Sequence, residues 1–200
     1  GKLIAINNED TATLILKAFS EDIEKIVYML DDQPRTLYSL LQCVYDISKG
    51  SEEPDINNVE IHHIYIKLMS RYNPEFVCPY LKVATGYKID PILELCLVAN
   101  LKDAAAFLYE TRGDLEDAFK LYYDVLRDTI RDKQLVFVEE TLIKIINFCQ
   151  RNSDQLSQND KESYWFSLID LLLGLGEAPD CIALQEILID NMLGFVSSSK

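Results

Sequence analysis

Along the whole chain of 200 residues, apolar positions recur at the spacing of a helix, and no segment alternates apolar and polar residues over the length of a strand. That one periodicity confines the chain to an all-α fold. A stripe runs through Leu115, Ala118, Phe119, Tyr122, Val125 and Leu126. A second takes Leu135, Val138, Leu142, Ile145, Ile146 and Cys149, and a third takes Trp165, Leu168, Ile169 and Leu172. Each is the i, i+3, i+4, i+7 pattern of a helix that must bury one face. With 48% apolar and 26% charged residues the chain has material for a core and is not compositionally disordered.

Local chemistry marks where the helices stop and restart. Thr11 or Asp10 caps a first helix, and Gln33-Pro34, Asn73-Pro74 and Asp90-Pro91 place proline at a first helical position, where its missing N–H costs nothing. Arg112-Gly113-Asp114 combines a glycine able to take positive φ with an Asp N-cap, so two helices join with almost no loop, as in an antiparallel hairpin. These signals predict helices over 10–19, 21–32, 34–48, 58–72, 74–84, 90–100, 102–112, 115–131, 134–151, 161–175 and 179–196. The connections near 49–58 and 151–160 lack apolar periodicity and are expected to be exposed and mobile. Short helices joined by tight turns predict an α-solenoid of stacked antiparallel helical hairpins, one segment over 1–200. The opening Gly1-Lys2-Leu3-Ile4 and the end Ser197-Ser198-Ser199-Lys200 suggest a fragment of a longer protein.

Charge narrows the partners. Nineteen Lys and Arg stand against 33 Asp and Glu, a formal net charge of −14, and residues 1–60 alone carry half of that excess. A surface so acidic argues against nucleic acid and against direct docking on anionic lipid. Its ordinary reading is solvated helix faces, its functional one an acidic edge for a partner. The richest apolar stretch, Tyr164 to Gly176, contains Asp170 and is too short to cross a bilayer. Five cysteines, Cys43, Cys78, Cys96, Cys149 and Cys181, are odd in number, widely spaced and set in helical runs, which predicts buried free thiols and a reducing compartment.

Residues that could carry chemistry have plainer readings. His62-His63 diverge by about 100° on a helix, lack the i, i+4 spacing of a metal pair, and are read as structural or solvated. No nucleophile elbow, phosphate loop or dinucleotide glycine pattern occurs among the seven glycines. Glu52-Glu53, Asp31-Asp32 and Glu139-Glu140 are read as solvated faces rather than acid–base pairs. Trp165-Phe166 could anchor a partner, but at the start of an apolar helix the pair is read as core. No catalytic, cofactor or metal residue is predicted.

Two stretches are more specific. Cys149-Gln150-Arg151-Asn152-Ser153, a short polar loop, then Tyr164-Trp165-Phe166-Ser167-Leu168 resembles the late helical region of the vacuolar protein sorting-associated protein 8 family, and Tyr72-Asn73-Pro74, Tyr87-Lys88 and Tyr109-Glu110-Thr111-Arg112-Gly113-Asp114 fall in the same order. Ser167 stands where that family usually has proline, and Lys88-Ile89-Asp90-Pro91 replaces a more acidic run. Ala106 to Phe119 also resembles one tetratricopeptide or clathrin-heavy-chain hairpin. The resemblance implies a non-enzymatic scaffold arm of the CORVET endosomal tethering complex, cytosolic and peripheral on early endosomes. Its expected partners are other tethering subunits, with Rab5-type GTPases and SNARE machinery linked indirectly, no nucleic acid, and the membrane reached only through partners. No counterpart of that family's β-propeller or zinc-binding RING-type module is present in the sequence. The alternative is a helical repeat domain that binds peptide motifs in another trafficking or adaptor complex.

Overall fold

The structure, a computed structural model, describes residues 23–30, 32–48, 59–132, 135–176 and 179–198. The expected helix over 10–19 and the connection over 49–58 lie outside those residues, as does Asp31. Among the described residues there are ten α-helices, one 3₁₀ turn and no strand. They are α1 Ile23–Met29, α2 Pro34–Ser48, α3 Val59–Tyr72, the 3₁₀ turn Pro74–Phe76, α4 Val77–Val83, α5 Ile89–Val98, α6 Lys102–Arg112, α7 Leu115–Arg131, α8 Leu135–Arg151, α9 Gln158–Leu173 and α10 Pro179–Ser198. The all-α reading holds. No helix in the described residues is long and apolar enough to cross a membrane.

The chain forms two compact units, residues 1–104 and 105–200. In the first, α3 is the hub: it packs on α2, on α5, and on the 3₁₀ turn and α4 that follow it. Leu40, Leu41, Val44, Ile61, Ile66, Leu81 and Ile92 are buried there. In the second, α7 and α8 pack most extensively, α10 lies against α8 and α9, and α9 also meets α7. The expected stripes are buried where their side chains are described: Leu115, Ala118, Phe119, Tyr122 and Leu126 on α7, Val138, Leu142, Ile145, Ile146 and Cys149 on α8, Trp165, Leu168 and Leu172 on α9; the side chain of Leu135 lies outside the described ones. Val125 and Ile169 are half-buried at the margins. Phe119 and Tyr164 stack with ring centroids 3.9 Å apart and planes 4° from parallel. This aromatic contact joins α7 to α9 beyond the area it buries.

Helix ends follow the turn chemistry with three differences. Gly113 takes φ +94°, Asp114 N–H donates to Tyr109 O at 2.9 Å and Gly113 N–H to Glu110 O at 3.1 Å, the paired bonds of a left-handed C-terminal cap. Asp114 itself does not cap α7 with its side chain; its carboxylate accepts from Arg112 Nε instead. A salt-bridge partner two residues earlier takes the place of the capping bond. Asn100 makes the same kind of end for α5, with φ +55°, Asn100 N–H donating to Leu97 O at 3.1 Å and Leu101 N–H to Cys96 O at 2.8 Å. Asn tolerates this conformation better than most residues, so the stop needs no glycine. Pro91 is the third residue of α5 rather than its first, because a proline anywhere in the first turn lacks only an N–H that has no helical partner.

The connection expected to be mobile over 151–160 is shorter and more tied down. α8 runs to Arg151, and α9 starts at Gln158, where Ser157 Oγ accepts from Asp160 N–H at 3.1 Å. Asn152, expected to be exposed, is buried. Its Nδ2 donates to Glu110 Oε1 at 2.7 Å and to Phe148 O at 2.9 Å. Arg151 Nη2 donates to Glu110 Oε2 at 2.6 Å, and that hydrogen bond holds the guanidinium pKa above its ordinary value. One carboxylate from α6 thus fixes the end of α8 through charge-assisted bonds.

No disulfide joins the five cysteines; Cys96, Cys149 and Cys181 are buried, whereas Cys43 and Cys78 are only half-buried. Burial pushes the Cys96 and Cys149 thiols up to about 12.

Four outcomes are expected. Gly113→Val destabilises the chain by about 1 kcal/mol or more, read by urea denaturation, while Gly113→Asn costs less. A Cβ at Gly113 would meet no atom within 4 Å, so the cost is one of backbone conformation alone. Trp165→Ala costs about 3–5 kcal/mol whereas Phe166→Ala, at a side chain 62% exposed, changes stability by less than about 0.5 kcal/mol. Because the two thiols ionise in the unfolded chain near their ordinary value of 9.0 but only near 12 when folded, the unfolded state binds fewer protons between those values. Their contribution is complete below pH about 9 and is lost as the pH rises toward 12; a denaturation midpoint that stays level or rises over that window contradicts the burial. At pH 8 a thiol reagent followed by mass spectrometry should modify Cys43 and Cys78 before Cys96 and Cys149.

Candidate functional site

In the first unit, tyrosines from three elements converge. α2 contributes Tyr38 and Tyr45 one face apart by seven residues, α3 contributes Tyr65 and Tyr72, and α4 contributes Tyr80. Ring centroids separate Tyr72 from Tyr38 by 5.6 Å, Tyr38 from Tyr65 by 5.8 Å, Tyr65 from Tyr80 by 5.2 Å and Tyr80 from Tyr45 by 4.7 Å. The five rings form a continuous row within the offset and edge-to-face range of aromatic pairs. Arg35 stands at one end, its Cζ 5.7 Å from the Tyr72 centroid. Underneath, a 2.6 Å hydrogen bond joins His62 Nδ1 to the Tyr80 hydroxyl.

A cavity of about 340 Å³ opens along this row. α2 lines it with Tyr38, Gln42, Tyr45 and Asp46, α3 with Tyr65 and Met69, and the 3₁₀ turn and α4 with Phe76, Pro79, Tyr80 and Val83. Phe76 and Val83 stand open to solvent, at 56% and 64% exposure, on its rim. Burial holds the phenols of Tyr38 and Tyr45 above their ordinary pKa, with the Glu75 and Asp46 carboxylates adding to the shift at Tyr38 and Asp46 at Tyr45. Tyr65 is raised further by the same burial and by its neighbours Tyr38 and Asp46. The row thus sets phenol rings and hydroxyls beside the side chains of Asp46 and Glu75.

A second cavity of about 320 Å³ lies between α3 and the start of α5, lined by Val59, Glu60, His63, Ile64, Lys88, Pro91 and Ile92. The two histidines point apart as expected: His62 is buried against Tyr80, and His63 is half-buried at this second cavity. Among the described residues no group of three or more His, Cys, Asp or Glu is placed to hold a metal ion. Glu139 and Glu140 are exposed on α8, and Glu140 pairs with Lys144 at 3.0 Å. Glu52 and Glu53 fall outside the described residues. Trp165 is core, but Phe166 is not: about 100° further round the helix, it leaves the face that buries Tyr164, Trp165 and Leu168 and stands open to solvent. Arg112-Gly113-Asp114 is occupied by the helix turn.

The tyrosine row was missed in the sequence. Its members are spread from position 38 to position 80 over three elements, and no local spacing links them. The one available sign was density, since Tyr38, Tyr45, Tyr65, Tyr72 and Tyr80 are five of the chain's 11 tyrosines.

Comparison with known proteins gives a consistent picture. No family model and no solved structure matches the chain. It is 25% identical, over 221 aligned positions that cover 98% of this chain, to the vacuolar protein sorting-associated protein 8 homolog of Mus musculus. To its counterpart in Homo sapiens it is 27% identical over 86% of this chain. It is also 27% identical over 59% of its length to the vacuolar protein sorting-associated protein 41 homolog of Mus musculus. The chain spans only 15% and 13% of the two protein 8 relatives' lengths. The similarity is thus to a short stretch of much longer vacuolar protein sorting-associated proteins, and for the protein 8 homologs it extends over 86–98% of this chain.

Proposed function

We propose that the chain acts in vacuolar and endosomal protein sorting, as a non-catalytic scaffold segment of a longer subunit in a membrane-tethering assembly of the CORVET kind. The observation that carries this reading is the similarity to the protein 8 homologs across 86–98% of the chain. An all-helical chain whose stripes are covered by neighbouring helices agrees with it. So does the acidic surface, which favours protein partners over lipid or nucleic acid. In this reading stacked hairpins supply spacing and area for other tethering subunits, and the link to Rab5-type GTPases and SNARE machinery runs through those subunits. The membrane is reached through partners, on early endosomes.

The test is affinity purification of the chain within its full-length protein, tagged at its native level, followed by membrane fractionation. The expected result is co-purification of several sorting subunits and sedimentation with endosomal membranes that is lost when those subunits are depleted. A protein that purifies without folded partners and stays off endosomal membranes overturns the proposal.

A further inference from the structure

We infer that the outward face of the α9–α10 pair is a docking site for an amphipathic helix of a partner protein, its apolar stripe edged with lysine or arginine. The inference rests on the second unit alone and is independent of the tethering reading.

Both helices are apolar on two sides. α9 buries Tyr164, Trp165, Leu168 and Leu172, yet Phe166 and Leu173 are 62% and 63% exposed, with Ile169 half-buried between them. α10 buries Leu184 and Leu188 and leaves Ile182 and Ile189 open to solvent. Single exposed apolar residues are ordinary. Pairs set seven residues apart on two helices that pack together form a second stripe, and a helix with two apolar sides is one that neighbours cover on both.

These stripes point away from the core. By the helical period Leu173 and Phe166 lie about 140–160° round α9 from the buried Leu168. On α10, Gln185 Nε2 donates to Leu172 O at 3.1 Å, so Gln185 marks the side that meets α9. Ile182 and Ile189 lie roughly 40–60° beyond Gln185, going round from the buried Leu184, and so stand past the contact with α9. Seven residues of helix span about 10 Å, two turns, and the ridge they present is the kind that another helix meets with residues at i, i+3 or i+4 and i+7.

Charge selects among the helices that could lie there. From Glu162 to Ser199 the sequence holds six carboxylates and no lysine or arginine. Glu162 and Asp170 flank the α9 stripe, Glu186 and Asp190 the α10 stripe, and all four are exposed. Glu162 accepts from Gln158 Nε2 at 2.8 Å, a neutral donor that leaves its charge uncompensated. Such a border opposes a second copy of the same face and an anionic lipid surface alike, and it attracts an apolar stripe bordered by cations.

The experiment titrates the ¹⁵N-labelled 200-residue chain with a synthetic peptide of three Leu-Lys-Ala-Leu-Leu-Ala-Lys repeats, whose lysines border its leucine stripe on both sides, with a second in which Glu replaces Lys, and with a third in which Ala replaces Leu. Shift changes concentrated at Phe166, Ile169, Leu173, Ile182 and Ile189 are expected with the first peptide, with binding about tenfold or more weaker for the other two. Phe166→Ala and Asp170→Lys, both at exposed positions, should each weaken binding about tenfold with little change in melting temperature. Glu139→Lys, the same change of charge at an exposed position of α8, should leave affinity within about twofold. Higher salt should weaken binding by the parent chain. No shift change at these residues, equal binding by either control peptide, full binding by Phe166→Ala or Asp170→Lys, or an equal loss with Glu139→Lys overturns the proposal. Self-association of the free chain that Phe166→Ala abolishes overturns it too, by assigning the face to a second copy.

Discussion

A helix with one apolar face is not stable alone in water: forming it fixes many dihedrals for few bonds, and its stripe stays wet until a neighbour covers it. Every later feature of this chain depends on that constraint. α8 is buried along Val138, Leu142, Ile145 and Ile146 only because α7 and α10 lie against it, and α3 is covered on successive sides by α2, α4 and α5. Small residues set the spacing. Ala106 and Ala118 are completely buried within the second unit's core, and a longer side chain at either would push its helix outward.

The architecture was legible because it is written in local periodicity. The stripes of α7, α8 and α9 needed only a period of 3.6 residues and a glycine with freedom to turn at 113. What escaped was decided by contacts between distant residues. Asn100 ends α5 as a glycine would, but asparagine is common enough elsewhere that its left-handed conformation could not be read from the residue alone. Asp114 was read as a cap because the N-cap preference is real, and the nearby Arg112 took its carboxylate. Asn152 sat in a polar run that looked like a loop. Its burial depends on Glu110, 42 residues earlier. The tyrosine row needed α2, α3 and α4 to be placed before any of its rings could be paired.

The two units hold different kinds of interior. The second is mainly aliphatic, with a compact aromatic group around Phe119, Tyr164 and Phe148. The first packs a row of phenols in which Tyr38, Tyr65 and Tyr80 are buried and Tyr45 and Tyr72 half-buried, and each hydroxyl needs a partner once dry. Ring faces shield one another along the row, and the Tyr80 hydroxyl meets His62.

The chain's single tryptophan lies in the core of the second unit, whereas the phenol row lies in the first. Nature has thereby placed two distinguishable chromophores in two separate bodies. Light absorbed at the red edge of the aromatic band excites the indole alone and interrogates residues 105–200, whereas phenol absorbance changes are weighted toward the other body. Optical melting curves at two wavelengths can therefore resolve whether both bodies come apart together or in succession, without any label being attached.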